Sequence, residues 1–585
     1  DIAVNASALV STNELAIHMG LPRHSVKGLP VVEHAAFGQE VITRRNDDAD
    51  RINLGTIYNL GQETETEVCL NLNSLAMHTF ITGSTGSGKS NAVYHLLTEV
   101  RKKGIPFLVV EPAKGEYKDV FTDVRCYGTN PLVGEMLRIN PFSFPKGIHV
   151  LEHIDRIVEI FNVCWPMYAA MPAVLKESIE NAYKSAGWDL DISENEKIDN
   201  LFPTFDDVLI ELNKTINSSE YSSDTKGDYI GSLSTRIKSL TNGINGRVFV
   251  SDEMDLSELF DNSAIIDISR VGSVETKSLI MGLVVMKLQE YRMANAKEMN
   301  SPLRHITVLE EAHNLLKKTS TEQSSDSSNM VGKSVEMLTN AIAEIRTFGE
   351  GFVIVDQAPD LLDTAAIRNT NTKIVLRLPE SNDREITGNS IALKEQQFDE
   401  LSKLPTGVAA VYQNDWQEAV LCKLPRYEAY DFAMNKKAEF VPAVKKLRAE
   451  NDELLHLLIK KNIEEDKIDI LKSKIMKSNV AAKVRKDLIL NIQRRNAAYE
   501  WAVADFIKKN YDISDVFRGT KKENWSDLSE LCDIMISNLQ SEFNDFSKNE
   551  MLIILYYVCR IEHELYPKQQ SIEKLRVEYL REKVM

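Results

Sequence analysis

Thr79-Phe80-Ile81-Thr82-Gly83-Ser84-Thr85-Gly86-Ser87-Gly88-Lys89-Ser90 is the stretch that decides how the rest of the chain is read. A short apolar strand runs into the pattern G-x-x-x-x-G-K-S and then into the helical stretch Asn91–Arg101. The glycines let the backbone curl around a phosphate with its N–H groups turned inward, and the first turn of the following helix adds its positive dipole end. In this pattern the lysine, Lys89, reaches the β- and γ-phosphates, and the hydroxyl of Ser90 ligates Mg²⁺. Gly83, Ser84, Thr85, Gly86, Ser87, Gly88, Lys89 and Ser90 are therefore the candidate nucleotide-binding residues.

Outward from this loop, apolar strand-like runs alternate with longer amphipathic stretches. This is the pattern of a parallel sheet flanked by helices. The runs are Thr79–Gly83, Ile105–Glu111, Ala264–Ser269, Ile306–Glu310, Phe352–Gln357, Thr372–Leu378 and Val408–Gln413. Between the second and third, helical patterning dominates (His149–Val163, Ala173–Ser185, Phe205–Thr215, Gly231–Leu240), which predicts an all-helical insertion. The expected organisation is an N-terminal segment over 1–75, holding a strand at Arg51–Leu60 and the possible remnant of a β-barrel domain and linker. An α/β core follows over 76–140 and 246–430, with the insertion at 141–245 and a helical C-terminal domain at 431–585. The polar stretch Ser320–Ser328 reads as a mobile loop.

A phosphate loop needs acidic partners, and Ile306-Thr307-Val308-Leu309-Glu310-Glu311-Ala312-His313 ends an apolar strand in two carboxylates. Glu310 is the candidate for holding the Mg²⁺ hydration shell with Ser90, and Glu311 for polarising the water that attacks the γ-phosphate. His313 reads as a packing residue behind them. The strand Phe352–Asp356 exits at Gln357, which would sense the γ-phosphate or orient the water. Arg346 and Arg377 are candidates for a finger reaching a neighbouring subunit's nucleotide, with surface pairing as the alternative for each. Lys114, Lys118, Lys317 and Lys318 are either pore-lining phosphate contacts or solvated surface. Glu116 and Lys118 have the spacing of a metal nuclease's E-x-K, but the upstream Asp motif such a site needs is missing.

Composition bounds the reading further. With 585 residues and 43% hydrophobic content, the chain is long enough for several cores. Its six cysteines are scattered without C-x-x-C spacing, so reduced core thiols are expected rather than zinc or disulfides. The formal charge is −17, while residues 430–585 carry 28 Lys+Arg against 26 Asp+Glu, so the acidity lies in the remainder. That balance argues against a protein that coats nucleic acid generally, but is compatible with a basic channel inside an acidic ring. The apolar runs are too short to span a bilayer and no signal pattern opens the chain, which predicts a cytoplasmic protein without membrane contact. Opening on Asp1, it is expected to continue a longer polypeptide.

From about Gly28 to Leu424 the chain resembles the HerA branch of the HerA/FtsK superfamily of DNA-translocating ATPases. The resemblance rests on His78–Ser90, Gly115-Glu116-Tyr117, Asn140-Pro141-Phe142, Leu309–Leu315, Arg346-Thr347-Phe348-Gly349 and Gln357-Ala358-Pro359. It implies a RecA-like P-loop NTPase core, ATP and Mg²⁺ as ligands, a homohexameric ring with double-stranded DNA in its pore, and a partner nuclease or NADase-type antiviral effector. The same pattern extends to conjugation and type IV secretion ATPases. An ATP-gated scaffold for an effector, with little translocation, is a further alternative. The family's small N-terminal β-barrel is expected to be absent or only partly present before the phosphate loop, and the helical region after 430 is longer than a minimal member needs.

Overall fold

The computed structural model describes residues 34–41, 50–132, 134–165, 167–168, 170–296, 298, 300–319, 330–428, 443–460, 463–518, 520, 525–565 and 570–584, together with 11–13, 25 and 27. The loop expected at Ser320–Ser328 lies outside the described residues.

A twelve-stranded sheet organises the described residues. In chain order its strands are β1 (Arg51–Asn59), β2 (Gln62–Asn71), β3 (Thr79–Thr82), β4 (Phe107–Glu111), β5 (Arg125–Gly128) and β6 (Glu135–Met136). A separate two-stranded pair, β7 (Trp188–Asp189) and β8 (Glu194–Asn195), lies outside it. The large sheet resumes with β9 (Ala264–Asp267), β10 (His305–Glu310), β11 (Glu350–Asp356), β12 (Thr372–Val375), β13 (Val408–Gln413) and β14 (Val420–Lys423). Their spatial order is β2-β1-β14-β13-β12-β3-β11-β10-β4-β9-β5-β6.

From β12 to β6 the ladder is parallel, and from β12 through β13, β14 and β1 to β2 it is antiparallel. Strands β3, β4, β9, β10, β11 and β12 are buried throughout. Apolar layers cover both faces, which is why these strands read as continuous hydrophobic runs rather than alternating ones.

Two sequence expectations need correction. Residues 51–71 are not a separate N-terminal unit: β1 pairs with β14, with Thr56 opposite Lys423, so the hairpin extends the sheet past the boundary expected at 75. A strand whose partner lies hundreds of residues away leaves no local trace of that pairing. The insertion is not purely helical, because it carries the β7–β8 pair between its helices Met171–Ala186 and Phe205–Ser218. Its first helix, Val150–Cys164, shares one apolar cluster with the core helix Val274–Ala294.

The C-terminal helices form their own core and dock on the insertion through a buried polar joint. Asp207 lies in the capping box of Phe205–Ser218 and accepts the amide of Thr204 at 2.9 Å. It also accepts the amides of Ala482 (2.7 Å) and Lys483 (3.2 Å), so one carboxylate caps two helix N-termini. Arg485, 2% exposed, donates to the carbonyls of Val480, Met476 and Phe202.

His78, at the entrance to β3, is buried and its Nδ1 accepts the Phe352 amide at 3.0 Å. Burial pulls this imidazole down from 6.5 to about 4. Between those values the unfolded chain takes a proton that the folded chain refuses. Stability from this site is therefore complete above 6.5 and falls as pH drops, by about 2 kcal/mol at pH 5. His78→Asn retains an acceptor without a titrating ring, and should shrink the pH 7-to-5 difference in the opening free energy of the β3 and β11 amides, read by hydrogen exchange, by that amount. An unchanged difference would show that His78 does not carry the effect.

Candidate nucleotide site

Parallel strands bring their carboxyl ends to one edge of a sheet, and ligands bind where the connections diverge there. Here β3, β11, β10 and β4 are adjacent, so the loop after β3, Gln357 after β11, Glu310 and Glu311 at the end of β10, and Glu111 at the end of β4 share one edge. They line a cavity of about 210 Å³ with Ser84, Thr85, Gly86, Gly88, Lys89, Ser90, Asn91, Tyr94, Ala113, Lys114, Glu116 and Tyr117.

The phosphate loop is held by its backbone. Gly86 and Gly88 have φ of 77° and 104°, the left-handed region that side chains resist. A Cβ on Gly83 would lie 2.6 Å from Ser87 Oγ and 2.7 Å from Leu376 Cβ. Ser84 N donates to Arg377 O at 2.9 Å, Gly407 N donates to Ser87 O at 2.9 Å, and Thr406 Oγ1 donates to Gly86 O at 3.2 Å. From Gly88 the helix Lys89–Lys102 buries Ala92, Val93, Leu96, Leu97 and Val100 along one face. Asn91 Nδ2 donates to Pro425 O and Asn91 Oδ1 accepts the Tyr427 amide, pinning the chain after β14 to this helix.

Opposite the loop stands an acidic wall. Glu310 is 9% exposed and accepts a short hydrogen bond from the fully buried Tyr117 hydroxyl. Burial raises the Glu310 carboxyl above its ordinary range, against the pull of Tyr117 and Lys89. Glu111 accepts the amides of Glu116 (2.8 Å) and Tyr117 (3.3 Å), and burial pushes it up to about 7. Glu311 has φ 47° and ψ 52°, a left-handed conformation that costs a non-glycine residue about 1 kcal/mol. Its Oε1 lies 3.9 Å from Lys89 Nζ. Lys89 Nζ, Ser87 Oγ and Glu311 Oε2 are buried without a hydrogen-bond partner. Of these three residues Lys89 and Glu311 line the cavity, and an ammonium and a carboxylate there fit a polyphosphate and its attacking water, while the Ser90 hydroxyl and Glu310 carboxylate are the hard oxygen donors Mg²⁺ takes.

The other candidates divide. Gln357 Oε1 accepts from Thr85 Oγ1 of the loop at 3.3 Å. Arg377 follows β12 at the same edge, half-buried. Arg346 is exposed and precedes β11, at the opposite end of a seven-residue strand, about 20 Å from Gln357. It is out of reach of its own protomer's site. Lys118 pairs with Asp267 at 2.7 Å and Lys318 with Asp360 at 2.9 Å, whereas Lys114 lines the cavity. His313 is not simple packing: its Nδ1 lies 2.9 Å from Asp356 Oδ2 and 3.6 Å from Glu311 Oε2. Sequence reasoning passed over Glu111, Tyr117 and Asp356 as site residues. The available signal was their place at or just beyond the ends of apolar strand runs.

Residues 52–288 match the family described as the central domain of the helicase HerA. The chain is 26% identical over 399 residues to the DNA double-strand break repair helicase HerA of Sulfolobus acidocaldarius, covering 64% of this chain and 71% of the relative. Against the protein of the same name from Sulfurisphaera tokodaii, identity is 23% over 381 residues, covering 62% and 68%. Among solved structures it is similar to VirB4 of Thermoanaerobacter pseudethanolicus, with TM-score 0.47 and 18% identity over 65% of this chain and 97% of that one. For the plasmid coupling protein TrwB in complex with ADP and Mg²⁺ the TM-score is 0.45 and the identity 13%, over 69% and 98%.

Proposed function

We propose, from the premise that this chain is a HerA-like ATPase of the HerA/FtsK superfamily, that it works as a ring-forming motor which translocates or remodels double-stranded DNA together with a nuclease or antiviral effector. The observation that carries the hydrolytic part is that Lys89 and Glu311 line one cavity, with Lys89 Nζ 3.9 Å from Glu311 Oε1, while Lys89 Nζ and Glu311 Oε2 are buried without hydrogen bonds. In this reading the loop amides and Lys89 hold the β- and γ-phosphates. Glu311 takes the proton from the water whose oxygen attacks the γ-phosphorus, and the bond to the β-bridging oxygen breaks, leaving ADP and phosphate. Gln357, tethered to Thr85, orients that water. Ser90 and Glu310 would hold Mg²⁺, which when bound neutralises phosphate charge. Arg377 and Arg346 are the candidates for completing a neighbouring subunit's site, with surface pairing as the alternative for each.

No described helix is long and apolar enough to cross a membrane. The test is ATP turnover by the purified chain, alone and with linear double-stranded DNA, with mass photometry on the same samples and Lys89→Ala alongside. The expected result is a hexamer whose turnover rises with DNA and disappears in Lys89→Ala. Turnover surviving Lys89→Ala would reject the site. Turnover lost in Lys89→Ala but indifferent to DNA would move the reading to an ATP-gated scaffold or a secretion-type ATPase.

A further inference from the structure

Behind Glu311 lies a short polar chain that hydrolysis as described above does not use. Asp356, the last residue of β11, is fully buried. Its Oδ1 accepts the Ala358 amide at 2.9 Å, and its Oδ2 accepts both the His313 amide at 2.8 Å and His313 Nδ1 at 2.9 Å. A carboxylate accepts, so Nδ1 carries the proton and the ring is oriented by a partner that is itself fixed by two backbone amides. The contact with Asp356 also raises the imidazole above its ordinary range. The same Nδ1 stands 3.6 Å from Glu311 Oε2, the carboxylate oxygen without a hydrogen-bond partner.

Glu311, His313 and Asp356 offer ligand atoms within 4.8 Å of one another, the spacing of a metal site. The hydrogen bonds argue against that use. Asp356 has both oxygens committed to N–H donors, and Nδ1 is a donor rather than a lone pair. What the arrangement does supply is an imidazole nitrogen held rigidly by Asp356, 3.6 Å from a carboxylate whose backbone is held at φ 47°.

We propose that His313, held by Asp356, is a positioning residue that fixes the Glu311 carboxylate for proton abstraction and ties it to the exit of β11. The inference rests on the hydrolytic reading of Glu311. Asp356 directly precedes Gln357, and Gln357 contacts Thr85 of the phosphate loop at 3.3 Å. The loop, the amide that faces the phosphate and the general base are thereby joined through two consecutive residues of one strand exit.

The experiment compares His313→Ala, His313→Asn and Glu311→Gln for kcat, KM and affinity for a fluorescent ATP analogue, with thermal melting of each. Asparagine places its side-chain nitrogen where Nδ1 stands, so it keeps the bond to Asp356 without the ring. The expected result is a fall in kcat of about tenfold or more in His313→Ala, with KM and analogue affinity within about twofold, and recovery of most of that loss in His313→Asn. A purely structural role would lower the melting temperature and raise KM without rescue by asparagine. Wild-type kcat in His313→Ala alongside an inactive Glu311→Gln would overturn this inference alone. Full turnover in Glu311→Gln would overturn the hydrolytic reading beneath it.

Discussion

Glu311→Gln should bind ATP at least as tightly as the native chain and hydrolyse it between about 10² and 10⁴ times more slowly. Glutamine preserves the shape of the side chain and an oxygen facing Lys89, which lies 3.9 Å from Glu311 Oε1, so the cavity keeps its form. What is lost is a proton acceptor at the point where the attacking water must shed its proton. Removing a negative charge from the wall that faces the phosphates does not weaken their binding, and the Lys89 ammonium is left wholly to them. The result is a nucleotide-loaded, stalled enzyme. Analogue titration measures the first half, and single-turnover hydrolysis the second. Turnover within threefold of the native rate would remove Glu311 from the role of base and pass the question to Glu111, whose carboxylate lines the same cavity.

Arg485→Ala should cost about 3–5 kcal/mol where the C-terminal helices meet the insertion. The guanidinium is completely enclosed, and burial pulls it down to about 10, so it is charged at neutral pH. Its three nitrogens satisfy carbonyls of Val480, Met476 and Phe202, the last contributed by the insertion. Truncation strands those carbonyls, removes the charge that offsets the buried Asp207 carboxylate, and opens a cavity. Hydrogen exchange is the suitable measurement, because a chain with several cores does not unfold in two states. Amides of the helices Phe205–Ser218 and Ala482–Asn491 should lose protection, while those of β10 and β11 keep theirs. Unaltered protection in both helices would mean that Arg485 does not hold the joint.

The phosphate-loop pattern and the paired carboxylates of the candidate site were legible from residues in sequence because their requirements are local. Gly86 and Gly88 occupy backbone conformations that other residues resist, Lys89 and Ser90 follow within the same turn, and Glu310 and Glu311 end a strand whose apolar run shows that it is buried. The alternation of strand and helix from Thr79 onward carried the α/β class for the same reason. The edges of the sheet were not legible. β1 and β14 pair across more than three hundred residues, and nothing in Arg51–Asn59 alone distinguishes a strand of the core from one of a separate domain.

By itself the sequence determined the chemistry available: a loop with the phosphate-binding pattern, two carboxylates at a strand end, an amide at another, and long helices after residue 430. The tertiary structure alone decided which of these meet. Sheet order, not chain order, sets Glu111 beside Glu310, turns Tyr117 onto Glu310, brings Asp356 under His313 across 43 residues, and sends Arg346 to the far end of the strand that delivers Gln357. Backbone conformation and burial are written in neighbouring residues, whereas strand order is chosen by the pairing and packing of distant segments, and contacts between strand ends exist only once that choice is made.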